Sequence, residues 1–256
     1  MEKYMIIQII GLPGSGKTTL AEELAYRINA IHLNADYVRS TVNSDLGFEL
    51  PDRIEHARRL GEMARMLSGQ GHTVVVDFIC PTQETRDTFG TPDVLIWMNT
   101  ISQGRFEDTN RMFIAPKQYD TIFNDHDLNA KEKAQLIIKR FRLHDWSEPT
   151  TLMLGRYQPW HEGHHALYQE AKKRTSQVVL GIRSTYGTSD KDPLTFTEVK
   201  NFINEDPAMI GAMVVRMPNI THIVYGRDVG YKIEQVKLGD EVEAISATEK
   251  RRQMGL

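Results

Sequence analysis

Eight residues near the start of the chain, Gly11-Leu12-Pro13-Gly14-Ser15-Gly16-Lys17-Thr18, satisfy the spacing G-x-x-x-x-G-K-[ST] and restrict the fold more than any other feature of the sequence. The apolar run Met5-Ile6-Ile7-Gln8-Ile9-Ile10 precedes them and suits a buried strand, and helical spacing over Thr19–Asn29 follows. Strand, loop and helix together predict an anion cradle. Gly11, Gly14 and Gly16 let backbone N–H groups turn inward around phosphate oxygens, with Ser15 and Thr19 on the same loop and helix start. Lys17 adds a point charge for the outer phosphates, Thr18 a hydroxyl for Mg²⁺, and the helix aims its positive end at the anion. ATP or GTP is the expected ligand. A glycine-rich turn with an accidental lysine is the competing reading, and the agreement of all three elements argues against it.

The strand and helix signals keep alternating after the loop. Ile31-His32-Leu33 reads as a second strand, and Ile54, Ala57, Leu60, Met63, Ala64 and Leu67 recur at helical spacing until Gly69 and Gly71. Thr73-Val74-Val75-Val76 is a β-branched run suited to a buried parallel strand, Val94-Leu95-Ile96-Trp97 is a fourth strand, and a helix over Asn129–Arg140 closes the unit. That order predicts a parallel sheet flanked by helices, with ligands at the carboxyl ends of its strands. With 256 residues the chain has room for two such domains. The net charge of −3, with both signs interspersed, gives no basic stripe for nucleic acid or anionic membrane. The single cysteine, Cys80, and the absence of a spanning apolar run or signal peptide lead to the expectation of a reduced, cytoplasmic protein.

Leu33-Asn34-Ala35-Asp36-Tyr37-Val38-Arg39, Asn43-Ser44-Asp45-Leu46-Gly47-Phe48, Asp52-Arg53 and Phe78-Ile79-Cys80-Pro81 resemble the adenylylsulfate (APS) kinase pattern L-D-G-D-N-x-R, N-x-D-L-G-F, D-R, F-I-S-P. The similarity covers residues 4 to about 97. It implies a P-loop kinase fold in which Asp36 stands beside the γ-phosphate as Mg²⁺-associated carboxylate or base, with Lys17 as its catalytic partner. Arg39 and Arg53 would clamp the acceptor's anionic groups, Asn43 would belong to the same acceptor site, and Phe48 would stack on the acceptor's base. Those are the jobs phosphoryl transfer needs, since it is mainly positioning and charge neutralisation. The departures are the family's serine, which is Cys80 here, and two polar replacements, Asp77 and His56. Asp77 ends an apolar strand, as a Walker-B carboxylate does, and reads either as a third metal-side group with Thr18 and Asp36 or as a helix cap. Past Trp97 the family's lid is replaced by Gly104–Phe113, whose Arg105 and Arg111 belong either to a lid entering the site or to a solvated loop.

His144-Asp145-Trp146-Ser147-Glu148-Pro149 joins a helix end to polar residues and a proline, which places domain boundaries at 1–145 and 150–256. A new strand, Thr151–Leu154, runs into Gly155-Arg156-Tyr157-Gln158-Pro159-Trp160-His161-Glu162-Gly163-His164-His165, followed by an amphipathic helix to about Arg174 and a strand over Val178–Ile182. Strand, tight turn and histidine-bearing helix start repeat the logic of an anion site on a second α/β sheet. Paired histidines at this spacing also read as zinc ligands or surface residues.

Gly155–His164 resembles the G-R-F-Q-P-F-H-x-G-H signature of the nucleotidyltransferase superfamily, and Ile245-Ser246-Ala247-Thr248-Glu249-Lys250-Arg251 is similar to its second motif, I-S-x-T-x-I-R. The resemblance implies a Rossmann-like nucleotidyltransferase fold and in-line attack on the α-phosphate of ATP or another NTP with release of pyrophosphate. His161 and His164 would stabilise the charge that develops there. Gly163 would permit close approach of the nucleotide, Ser246 and Thr248 would bind the β- and γ-phosphates, and Arg251 and Arg156 would face phosphate. Ile223–Asp228 is similar to the V-G-R-D segment of ATP sulfurylases, but Gly155 and Tyr157 replace their sulfate-holding pair. Asp192–Phe196 resembles the N-P-F-T segment of nicotinamide-mononucleotide adenylyltransferases.

Together these readings predict a bifunctional, Mg²⁺-dependent transferase: an ATP-dependent small-molecule kinase joined to a nucleotidyltransferase. Its partners are expected to be small anionic metabolites, without nucleic acid or membrane, and the resemblance implies a homo-oligomer. The alternatives are a sulfate-activating APS kinase and sulfurylase-like protein, or a nucleotide sensor without turnover. The retention of Lys17, Thr18, Asp36, His161, His164 and Arg251 argues against the sensor.

Overall fold

The computed structural model describes residues 5–185, 187–209, 212–224, 226–227, 230, 232–239, 245 and 247–255. The chain divides into two compact units, Met1–Trp146 and Ser147–Leu256. Each is a parallel sheet flanked by helices. Among the described residues no helix is long and apolar enough to cross a membrane.

The first unit is built on β1 (Ile6–Gly11), all six of whose residues are buried. β1 is central in a five-stranded sheet of order β2-β3-β1-β4-β5, completed by β2 (Ile31–Asn34), β3 (Val74–Asp77), β4 (Val94–Met98) and β5 (Thr121–Phe123). Every pairing is parallel. Alternation along β1 sends Ile7 and Ile9 to one face and Ile6 and Ile10 to the other. Leu20 and Leu24 of α1 (Lys17–Ile28) and Ile137 and Ile138 of α6 (Ala130–Phe141) cover the first face. Ala57, Leu60 and Ala64 of α3 (Leu50–Gly69) and Phe89 of α4 (Gln83–Phe89) cover the second. A strand covered on both sides reads as a continuous apolar run, which is why the sequence marks β1, β3 and β4 so clearly.

Short elements without that covering carry little pattern. α2 (Ala35–Ser40), α5 (Glu107–Met112) and the three-residue β5 are additions that periodicity does not announce. α5 occupies the segment in which the sequence offered only a lid or a loop.

The second unit holds β6 (Thr150–Gly155), β7 (Gln177–Arg183) and β8 (Met213–Met217) in the parallel order β6-β7-β8. α7 (Glu162–Lys172) and α8 (Phe196–Glu205) contribute Tyr168, Ala171, Val199 and Ile203 to a core with Met153, Val178, Leu180 and Ile182. α9 (Ala247–Met254) is the last helix, and none of its residues is buried.

Candidate active sites

At the carboxyl end of β1 the glycine loop takes a backbone shape that requires glycine. Gly11 has φ +148°, and a Cβ there would lie 2.3 Å from the Met98 carbonyl oxygen, so only glycine fits beside β4. Gly14 and Gly16 also hold positive φ. Ser15 N donates to the Leu12 carbonyl at 3.1 Å, closing the turn, while the buried Ser15 Oγ has no partner. Lys17 Nζ folds back onto the Leu12 carbonyl at 2.9 Å. Burial pulls its pKa down to about 8, against the opposing attraction of Asp77 and then Asp36. A desolvated ammonium held this way is ready to exchange one carbonyl for a phosphate.

Asp77 ends β3 and is 2% exposed. Thr18 Oγ1 donates to its Oδ2 at 2.6 Å, His32 Nε2 lies 2.6 Å from its Oδ1, and Asn34 Nδ2 donates to both oxygens at 3.2 and 3.3 Å. The carboxylate thus reaches the P-loop hydroxyl directly, as an ion-positioning group would. The α4 cap is supplied by Thr82, so Asp77 does not cap that helix. Thr18 and Asp77 offer hard oxygen donors beside the loop, a set that suits Mg²⁺, which takes few protein ligands and completes its shell with water and phosphate. No cluster of three His, Cys, Asp or Glu among the described residues forms a cage for a metal.

Across the same strand ends, Asp36 is exposed on α2. Arg39 stacks over the Phe48 ring at 5.1 Å and donates to the Gly47 carbonyl. Arg53 donates from Nε to the Phe48 carbonyl at 2.6 Å and from its guanidinium to Asp108 at 3.0 Å. Burial and then Arg53 lower the Arg39 pKa, opposed by Asp36 and Asp52, so two guanidinium groups share one small region. Phe48 is 67% exposed and presents its ring to solvent. Asn43 is placed differently: it is 1% exposed and its amide lies 2.9 Å from His56 Nδ1, so it braces α3 under the loop instead of facing the cleft. Burial and then Arg39 push the His56 pKa down to about 4, leaving a neutral imidazole. Cys80 is fully buried with its thiol pushed up to about 12, which suits a packed side chain and not a nucleophile.

The Gly104–Phe113 segment meets this cleft through Asp108 and Thr109, which accept from Arg53 at 3.0 and 3.4 Å. Asn110 holds the Gly104 backbone by two hydrogen bonds of 2.7 and 3.0 Å within the segment, and just before it Thr100 Oγ1 donates to the Ser15 carbonyl at 2.9 Å. Arg105 Nε lies 4.0 Å from where a Gly14 Cβ would stand, whereas Arg111 pairs with Glu107 on the exposed face of α5. His32, Asn34 and Thr100 had escaped sequence reading. For His32 and Asn34 the signal is the β2–β3 register that sets Asn34 opposite Asp77, and register is not visible in an isolated strand.

In the second unit, Gly155 ends β6 where a Cβ would meet the Tyr157 ring at 2.7 Å. Tyr157 has φ +49° and donates its hydroxyl to the Met153 carbonyl at 2.6 Å, which fixes a turn that side chains rarely favour. His161 caps α7, accepting from Gly163 N at 3.1 Å. Its ring stacks on His164 at 3.8 Å, and Tyr157 and Trp160 pack on His164 at 5.0 and 5.5 Å. Burial and then His161 drive the His164 pKa down to about 3; burial also lowers His161. Burial thus favours the neutral form of both imidazoles. His164 Nδ1 is buried without a partner.

α9 comes back to this turn. Arg251 donates to the Gln158 carbonyl at 2.8 Å, from 93 positions away, and to Thr248 Oγ1 at 3.1 Å, while Lys250 reaches Glu162 at 3.1 Å. The two distant motifs are thus in contact. Arg156 is exposed and paired with Asp192 at 3.1 Å. Ser246 and Asp228 lie outside the described residues. His165 lies 3.1 Å from Asp206, which also accepts from Trp160, so the third histidine of the run is structural.

Comparison with known proteins concerns the first unit. The family described as adenylylsulphate kinase matches residues 3–91. A probable adenylyl-sulfate kinase of Bacillus subtilis is 41% identical over 90 residues, 33% of this chain and 45% of that protein. One of Aeropyrum pernix is 36% identical over 94 residues, 34% of this chain and 50% of that protein. The chain spans about half the length of these curated relatives. A structure of the Mycobacterium tuberculosis APS kinase CysC, solved with AMPPNP and APS, is 25% identical, covers 54% of this chain and 98% of that one, and gives a TM-score of 0.48. The first unit is therefore similar to P-loop kinases of the APS kinase type.

Proposed function

We propose that the first unit is an ATP-dependent phosphotransferase that moves a γ-phosphoryl group to a hydroxyl of an anionic nucleotide such as adenylylsulfate. The contact between Thr18 and the buried Asp77, beside Lys17 and across from Arg39 and Arg53, carries this reading. In it, the loop amides and Lys17 hold the phosphates, Arg39 and Arg53 hold the acceptor's anionic groups against Phe48, and the exposed Asp36 accepts the hydroxyl proton. Mg²⁺ at Thr18, backed by Asp77, would offset charge on the phosphates. The relatives' printed activity favours adenylylsulfate over an unrelated phosphorylated acceptor. The test is ADP release from ATP with adenylylsulfate. Release that depends on adenylylsulfate and vanishes in Lys17→Ala supports the proposal; ADP release indifferent to adenylylsulfate removes it as acceptor.

A second reading concerns the second unit and rests on its own geometry. Arg251 bound to the His161 turn through the Gln158 carbonyl favours nucleotidyl transfer over a zinc or structural role for the histidines. His161 and His164, as neutral donors at the start of α7, would stabilise charge on an α-phosphate while Arg251 and Thr248 bind the leaving pyrophosphate. Pyrophosphate release across the four NTPs, lost in His164→Ala, is the expected result. No release from any NTP with phosphorylated acceptors would leave a nucleotide-binding unit without turnover.

A further inference from the structure

α5 (Glu107–Met112) lies beyond residues 3–91, the stretch that matches the adenylylsulphate kinase family, so its part in the site is read from this chain's own contacts. The segment is pinned on either side of the helix. Gly104 packs on the phosphate loop, where an added Cβ would come within 2.9 Å of Pro13. Ile114 N donates to the Pro81 carbonyl at 2.7 Å, and the Ile114 carbonyl accepts from Arg86 at 2.9 Å. Between those pins Arg53 of α3 reaches α5, its Nη2 donating to Asp108 Oδ2 at 3.0 Å and to Oγ1 of the buried Thr109 at 3.4 Å. The partners of the ion pair differ in exposure: the Arg53 side chain is 10% exposed and that of Asp108 64%. If the pair opened, the carboxylate would return to water at little cost, whereas the guanidinium would stay largely desolvated without its counter-ion. A second cation, Arg39, stands nearby on the Phe48 ring, with Asp36 and Asp52 as its own carboxylate neighbours.

We propose that Asp108 is an internal stand-in for the acceptor's anion: it holds Arg53 while the site is empty, and a sulfate or phosphate group of an incoming nucleotide must displace it. That the displacing group belongs to a phosphoryl acceptor rests on the phosphotransferase reading of the first unit; the competition for Arg53 rests on the ion pair itself. Sulfate and phosphate oxygens suit a guanidinium fork as well as a carboxylate does, so such a ligand can take over the bond. An uncharged compound of the same shape cannot, because it would leave Arg53 without a counter-charge. The pair therefore selects against neutral acceptors, which makes Asp108 a specificity-determining residue. It also weakens binding of the anionic ones, since only the fraction of molecules with the pair open is ready to receive them. Displacement frees α5 from its side-chain tie to α3, so acceptor binding and the position of α5 are coupled through one carboxylate.

The test is calorimetric titration, without ATP, of the full chain and of its Asp108→Asn and Asp108→Glu variants with adenylylsulfate and with adenosine as the uncharged probe. Asp108→Asn should bind adenylylsulfate at least about threefold more tightly, the gain expected when a largely exposed carboxylate stops competing for a guanidinium. Asp108→Glu should restore the original affinity, and adenosine should gain nothing from either change. A contact that only braced the fold would weaken binding or leave it alone when cut. Equal or weaker adenylylsulfate binding in Asp108→Asn, a gain that Asp108→Glu shares, or an equal gain for adenosine overturns the proposal. ADP release from ATP with adenylylsulfate separates it from the phosphotransferase reading. Tighter binding to Asp108→Asn without ADP release keeps Asp108 in its role and removes that reading. ADP release with no change of affinity in Asp108→Asn does the reverse, and no adenylylsulfate binding by any of the three proteins removes both.

Discussion

The two units build their candidate sites differently at equivalent places, the carboxyl ends of parallel strands. In the first, the loop is shaped by backbone conformation: Gly11 is pressed against Met98, Gly14 and Gly16 hold positive φ, and the buried Lys17 waits on a carbonyl. In the second, side chains form the candidate site: two imidazoles stacked at 3.8 Å, His164 packed against Tyr157 and Trp160, with Arg251 delivered from the far end of the unit. A backbone cradle is local and hard to replace. A side-chain cradle is assembled from separate segments and tunes protonation through packing.

That contrast can be broken in order of expected effect. Lys17→Ala should cut phosphoryl transfer on the order of 10³-fold, since it removes a desolvated charge on the transferred group, and should leave pyrophosphate release untouched. Loss of both activities in the ADP and pyrophosphate assays would mean the units do not act separately. Gly11→Ala should cost about 3 kcal/mol or more in thermal or denaturant unfolding, because its Cβ would stand 2.3 Å from a β4 carbonyl. A cost below about 1 kcal/mol would show that backbone shape is not what holds the loop. His164→Ala should lower nucleotidyl transfer on the order of 10²-fold at unchanged ADP release.

The next effect is on pH. His164 has its pKa lowered to about 3, so between pH 3 and its ordinary value of 6.5 the unfolded chain binds the extra proton and the native one does not. Stability contributed at this site is then full above pH 6.5 and falls as the solution is acidified, by at most about 1.4 kcal/mol per pH unit. His164→Phe should flatten that slope in melts between pH 4 and 6.5. An unchanged slope would mean that the imidazole is already protonated in the fold. The smallest effect belongs to the Lys250 and Glu162 pair, where Lys250→Ala should change stability by less than about 1 kcal/mol, as exposed pairs do.

Legibility followed burial and locality. The strands β1, β3 and β4 and the helices α1, α3 and α6 stand near their expected positions because both faces of the first sheet are covered, which forces long apolar patterns. β5, α2 and α5 are too short to impose a period, and α8 and β8 lay in a stretch from which only short motif resemblances had been drawn. Asp77 was legible as a strand-ending carboxylate, but its partners His32 and Asn34 were not. Asn43, expected among the acceptor contacts, is turned inward by His56, a residue the sequence had marked only as a departure.

What the sequence determined on its own is the chemistry that neighbours in the chain can build: the glycine loop with Lys17 and Thr18, and the turn from Gly155 to His164. Both are local, so their spacing already encodes their shape. Only tertiary structure decided what reaches them. Asp77 meets Thr18 because β1 and β3 pair in parallel, and Arg251 meets Gln158 because α9 returns to the start of α7. The pKa of about 8 at Lys17 and of about 3 at His164 follow from the burial those contacts create, which no spacing of residues records.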